Sequence, residues 1–207
     1  VAPPMGIRAP AAGGVATGDD VTLFYYYYAM VLLGLERFED ALQCLKCALA
    51  VPSYVATDVL AAAYKKLIVV ELLVHGEFRP EGLRFVASLM QRKLNFFGLT
   101  YSKLAKSYSF GTRDELLQSL DKHADEFSRD GNLNLVRRLP TALLHQSILR
   151  ISHTYLSLPL AELAALSHAP DSAAAARAVE ALAAAGEVRA RVEEGEGFVF
   201  FGGGVEG

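Results

Sequence analysis

The stretch Ser157–Phe201, SLPLAELAALSHAPDSAAAARAVEALAAAGEVRARVEEGEGFVFF, decides the fold. Ser157 precedes Leu158 and Pro159, a cap with proline in the first turn, where its missing N–H costs nothing. Leu160, Leu163 and Leu166 then repeat at helical spacing, and His168-Ala169-Pro170 breaks the helix because a residue before proline leaves the α region. Asp171 or Ser172 caps a second helix, whose apolar stripe is Ala176, Val179, Leu182 and Ala183. Gly186 stops it. Val188, Ala190 and Val192 alternate with Arg189 and Arg191, the period of a half-buried strand. Glu193–Gly197 is a turn and Phe198–Phe201 the return strand. Helix, turn, Ala-rich helix, Gly and hairpin is the order of a winged helix.

Its charge argues against a duplex reader. Between Asp171 and Glu187 a single Arg177 stands among Asp171, Glu180 and Glu187. A helix that docks on DNA draws most of its affinity from phosphate neutralisation by Lys and Arg, so this one is built to touch protein. The net charge of −3 over 207 residues selects no partner class by itself. A mean hydropathy of +0.25 calls for large buried helices or surface reserved for partners. The longest uncharged apolar run, Val21–Leu35, falls short of the ~20 residues that span a bilayer. No secretory signal precedes Asp19. A start at Val1 suggests a fragment of something longer, and residues 1–19, whose first eighteen are rich in Ala, Gly and Pro, are expected to be a disordered linker.

Everything between reads as helix, with no strand pattern before residue 187. Val21–Leu33 and the face Phe38, Ala41, Leu42, Leu45, Ala48 and Leu49 form one tetratricopeptide-like (TPR-like) pair. The small residues Ala29, Ala41 and Ala48 let its helices approach, and Pro52 ends it. Val55–His75 is a third helix closed by Gly76, and a long element from Leu83 carries Phe97, Tyr101, Leu104, Ala105 and Tyr108. Thr112 and Glu115 make a capping box ahead of Leu116, Leu117, Leu120, Ala124 and Phe127. A short helix lies near Asn132–Leu139, and Leu143, Leu144, Ser147, Ile148, Ile151 and Tyr155 form a stripe running into the winged helix. The expected organisation is a linker over 1–19, helical repeats over 20–139, linker helix and winged helix over 140–201, and a flexible tail over 202–207.

Catalytic readings fail on their own terms. The five His (His75, His123, His145, His153, His168) contain no His-x-His pair for a zinc hydrolase. Cys44-x-x-Cys47 lies within a helical pattern with no further Cys to complete a site, so it reads as structural and reduced. There is no Gly-x-Ser-x-Gly elbow and no Walker loop. Lys65-Lys66, Arg92-Lys93 and Arg137-Arg138 are isolated pairs that read as solvated faces or interface contacts. Tyr25–Tyr28 could stack bases, yet four consecutive Tyr point all round a helix, so packing in the repeat core is favoured. No catalytic residue, metal or cofactor is expected. The run Phe198, Val199, Phe200, Phe201 would invite aggregation along a sheet edge unless covered, and a neighbour's strand would cover it. With Arg191 and Val192 it makes up the predicted interface; the alternative is that one face of the strand covers the domain's own helices.

A helical-repeat stack flowing into a winged helix resembles the PCI-domain family, shared by scaffold subunits of the proteasome lid, the COP-nine signalosome and a translation initiation factor. The resemblance rests on Phe24 with Tyr25–Tyr28, Gly34-Leu35, Phe38, Ala41-Leu42, Ser53, Tyr64-Lys65-Lys66 and Leu72-Leu73 to Gly76. It continues through Tyr101, Leu104-Ala105, Lys122-His123, Phe127-Ser128-Arg129-Asp130, Asn132, Leu135-Val136, and Leu156-Ser157-Leu158 to Gly186-Glu187-Val188. Within the family it is most similar to the third subunits of the signalosome. The chain departs from them in the run Ala173–Ala176 and in a wing turn, Glu193–Gly197, that is acidic where relatives are more basic. The resemblance implies a mainly α fold of TPR-like repeats, linker helix and C-terminal winged helix. It implies a non-catalytic scaffold in the assembly that removes a ubiquitin-like modifier from cullins, placed in nucleus and cytoplasm. Its partners would be other PCI subunits through the winged-helix sheet edge and, indirectly, cullin-based ubiquitin ligases, with no membrane and no nucleic acid. A proteasome-lid scaffold is the near alternative; a nucleic-acid-binding PCI winged helix is the distant one, marked by binding that weakens steeply with salt.

Overall fold

A computed structural model describes residues 17–53, 55–79, 83, 86, 88–193 and 197–202. Most of the expected N-terminal linker, the tail after Gly202 and the wing tip 194–196 lie outside the described residues. The chain divides into two compact units, the first running to Val70 and over Arg79–Tyr101, the second over Glu71–Phe78 and from Ser102 onward. This division differs from the expected boundary at 139/140.

In the first unit, helix α1 (Gly18–Gly34) begins inside the segment expected to be linker. Thr17 is the reason: its hydroxyl accepts from the Asp20 amide while the Asp20 carboxylate accepts from the Thr17 amide, a closed capping box. The Thr17 hydroxyl also donates to the Asp20 carboxylate, and that bond first, then the one from the Thr17 amide, holds the Asp20 carboxyl below its ordinary range. Helix α2 (Phe38–Ala50) packs back on α1, and Ala29, Ala41 and Ala48 are fully buried where the axes approach. The turn between them is a Schellman motif in which Arg37 N–H donates to Leu32 C=O and Glu36 N–H to Leu33 C=O. Glu36 therefore sits at φ 59°, where glycine is usual. The Tyr row is not core: Tyr25, Tyr26 and Tyr28 are half-buried and Tyr27 is 62% exposed, because four successive positions cover the whole circumference.

Helix α3 (Asp58–His75) follows, and α4 (Ser88–Phe97) is tied to it by Tyr64 Oη, which donates to Asn95 Oδ1 at 2.5 Å. Lys66 is 1% exposed, so the Lys65-Lys66 pair is not a solvated face. The long element expected from Leu83 onward is interrupted at Gly98, where α4 gives way to α5 (Leu99–Phe110). A Cβ on Gly98 would run into the Tyr64 ring, so the bare glycine at this junction leaves that ring its place.

The second unit contains most of α5, then α6 (Arg113–Lys122), α7 (Ala124–Arg129), α8 (Leu133–Val136), α9 (Leu139–Ser152), α10 (Leu160–Ser167) and α11 (Ser172–Ala184). The Thr112–Glu115 capping box is present. Gln146 on α9 is a strut: its amide donates to Leu72 and Leu73 C=O, both at 3.3 Å, and its carbonyl accepts from Tyr108 Oη at 2.9 Å. The expected stripe stops at Ser152, and Tyr155 is 40% exposed.

Three strands close the winged helix: β1 (Ser157–Pro159), β2 (Ala190–Glu193) and β3 (Phe198–Phe201), antiparallel in the order β1-β3-β2. β1 corrects two expectations, that no strand precedes residue 187 and that Ser157 caps a helix. Leu158, placed before proline, is driven to extended backbone, and Pro159 itself lies at φ −60°, ψ 140°. Pro159 is thus the N-cap of α10, and Ser157 pairs with Phe200. Helix α10 ends in a left-handed residue, His168 at φ 60°. Asp171 caps α11 by accepting from the Ala174 amide at 2.6 Å, and Gly186 at φ 75° ends it. Ile148, Ile151, Leu158, Leu163, Val179, Leu182, Val199 and Phe201 are among the buried side chains that join α9, α10, α11 and the sheet in one core.

Candidate functional site

β3 is the middle strand, which revises the expected edge. Gly202 N–H donates to Arg189 C=O at 2.8 Å, while Phe201 N–H donates to Leu156 C=O at 2.8 Å. Backbone groups of an antiparallel strand alternate sides. With the register Arg191↔Phe200 and Leu158↔Val199, Phe198 and Phe200 bond to β2, and Val199 and Phe201 to β1. The main chain of Phe198–Phe201 is therefore taken up within the molecule, and the free edges belong to β1 and β2. On β1 the outward groups are those of Ser157 and Pro159, and proline has no N–H to offer. On β2 they are the N–H and C=O groups of Ala190 and Val192. Among the described residues no other main-chain group bonds to them. This is the open, strand-ready edge of the fold.

The side chains divide as cleanly. Val199 and Phe201 are 0% and 5% exposed within the domain's own core, so these two members of the predicted interface face inward. Val192 and Ala190 lean on that same core, half-buried. Phe198 and Phe200 point out, 37% and 38% exposed, with ring centroids 6.4 Å apart. Across the outer face Phe200 is flanked by Ser157 and Arg191, and Phe198 by Pro159 and Glu193. Arg191 reaches Glu193 at 2.8 Å and is highly exposed. The arrangement thus joins an open hydrogen-bonding edge to an aromatic outer face. Of the predicted residues, Arg191, Phe198 and Phe200 lie on this outer face and Val192 on the open edge; Ala190, outside the prediction, contributes only main chain, which leaves no trace in residue type.

The outer surface of α11 carries Ala173, Arg177, Glu180, Ala181 and Ala184, so its lone cation is set beside an acid. Among the described residues no cluster of three or more His, Cys, Asp or Glu could hold a metal ion, and no helix is long and apolar enough to cross a membrane. Cys44 and Cys47 are half-buried free thiols on α2. Burial, then Cys47 and Asp40, pushes the Cys44 thiol up, away from the reactive thiolate.

Comparison with known proteins places these features in context. Residues 11–83 match the family model described as COP9 signalosome complex subunit 3, N-terminal helical repeats, and residues 120–202 match the PCI domain. The chain is 26% identical over 181 residues to COP9 signalosome complex subunit 3 of Drosophila melanogaster, covering 86% of this chain and 40% of that protein. It is 29% identical over 182 residues to the Arabidopsis thaliana protein of the same name, covering 88% of this chain and 42% of that one. The chain therefore spans about two fifths of the length of these relatives.

Proposed function

We propose, from the premise that this chain is a PCI-domain protein similar to COP9 signalosome complex subunit 3, that it is a non-catalytic scaffold subunit of the signalosome. It holds neighbouring PCI subunits by letting a strand of the neighbour extend its sheet at β2. The observation that carries this reading is the free edge of Ala190 and Val192 beside the outward Phe198 and Phe200. An added strand would satisfy the open N–H and C=O groups of Ala190 and Val192, and the body of the neighbour that carries it would lie over the outer face that Phe198 and Phe200 present. Its place in the assembly would support removal of a ubiquitin-like modifier from cullins, in nucleus and cytoplasm, without contributing a reacting group.

Co-expression with the remaining signalosome subunits tests this. Phe200→Asp keeps the helix content, because Phe200 faces solvent, and releases the neighbouring subunit from the affinity-purified complex. Undiminished assembly with Phe200→Asp would refute the interface. Co-purification with proteasome-lid components instead would move the scaffold to that assembly. A duplex DNA probe should give no mobility shift even at low salt, given the sparse cations of α11.

A further inference from the structure

Away from the wing, the first unit carries a shallow groove of about 500 Å³ lined by Val55, Ala56, Arg92, Lys93, Phe96 and Phe97. Its construction follows from the phase of α4. Met90 and Leu94 are 7% and 1% exposed and fix the inner face of the helix. Residues four apart share a helix face, so Arg92 stands one turn below Phe96 and Lys93 one turn below Phe97. Two parallel cation-then-phenylalanine rows thus run along the outer side. Phe96 is 77% exposed, Phe97 45% and Val55, on the segment leading into α3, 65%. Exposed aromatics gathered in one place, unlike a scattered surface leucine, mark a contact surface.

The charge at this groove identifies the occupant. Both ionisable lining residues are cations, in a chain whose net charge is −3. Among the described residues neither Arg92 nor Lys93 has a carboxylate partner, although Arg37 and Arg191 elsewhere do. Two cations are too few to track a nucleic-acid backbone, which needs a phosphate contact every few ångströms. An aliphatic wall of Val55 and Ala56 offers nothing to a base. We infer that this groove docks an acidic amphipathic segment of a partner protein, its carboxylates on Arg92 and Lys93 and its apolar side chains against Phe96, Phe97 and Val55. This matches the helix-in-groove mode of peptide recognition with a charged rim that fixes orientation.

A phage-displayed library of random 16-residue peptides, panned on the full chain and followed by direct binding of the selected peptides, tests this. Selected sequences should be net acidic with apolar residues at helical spacing. They should bind at least about tenfold more weakly to Phe96→Ser and to the Arg92→Glu/Lys93→Glu double variant, as loss of a buried anchor or its paired charge requires. Far-UV circular dichroism should match the parent, since every altered side chain is exposed. The charge-reversed variant should in addition gain affinity for versions of those peptides with Lys in place of Glu. Selection of neutral or basic peptides, no selection above background, or acidic peptides indifferent to both variants would overturn the inference. So would a single-stranded (dT)20 probe whose binding is lost in the Arg92→Glu/Lys93→Glu variant, which would assign the groove to nucleic acid.

Discussion

Val199 and Phe200 are neighbours in the chain and face opposite ways, so the same substitution has opposite meaning at the two positions. Val199→Asp buries an unpaired carboxylate in the core of α9, α10 and α11, and that unit should fail to fold, seen as lost helix signal and early thermal unfolding. Phe200→Asp should leave the unfolding midpoint nearly unchanged. Gly76 and Gln146 make a second pair. Gly76 lies at φ 75°, and a Cβ there would collide with the Gln146 amide that bridges Leu72, Leu73 and Tyr108. Gly76→Ala is expected to cost about 1–3 kcal/mol in a denaturant titration, from left-handed strain together with a displaced strut. Glu36 and His168 hold left-handed positions without being glycine. Relief of about 1–2 kcal/mol of strain exceeds the ~0.5–1 kcal/mol entropy cost of glycine, so Glu36→Gly and His168→Gly should each stabilise by about 0.5–1 kcal/mol, read as a raised denaturation midpoint.

At the scale of elements, the sequence was legible wherever a local rule acts alone. The Thr112–Glu115 capping box, the closure of α11 by Gly186 and the pairing of α1 with α2 follow from cap chemistry, helical period and small-residue spacing, whereas the Thr17–Asp20 box was hidden by the Ala-, Gly- and Pro-rich stretch before it. Most of the rest that was not legible depends on distant partners. β1 is three residues long and is a strand because β3 lies beside it, and that same pairing moved Phe198–Phe201 from edge to centre. Gly98, at the junction of two helices, leaves the Tyr64 ring its place, and Gln146 shows no periodicity that would set it apart from a surface glutamine. Helix α5 has a pH signature. Burial raises the Tyr108 phenol well above its ordinary range, with the Arg150 charge opposing in part. In the unfolded chain it ionises near pH 10, so the folded state loses stability as pH rises beyond that value, while below it the contribution is fully present. Tyr108→Phe should flatten that alkaline decline and lower stability at neutral pH by about 1 kcal/mol through the lost bond to Gln146.

For the molecule as a whole, the mainly helical repeat and winged-helix character was readable, while the grouping of residues 71–78 with the second unit was not. The strut from Gln146 to Leu72 and Leu73 draws residues 71–78 into the second unit, an association between segments more than seventy residues apart that hydrophobic pattern does not encode. The side-chain half of the wing site followed from alternation; its main-chain half required the strand order. The strand order leaves the outer edge of β2 open, and the proposed function seats a neighbour's strand there. Val192→Pro tests that seating most directly, because the Val192 N–H points away from β3 and its removal spares the internal ladder. If the proposed scaffold role holds, Val192→Pro co-expressed with signalosome subunits and affinity-purified at matched levels keeps parental circular dichroism yet loses the neighbour docked at β2. Retention of that neighbour by a folded Val192→Pro chain would contradict it.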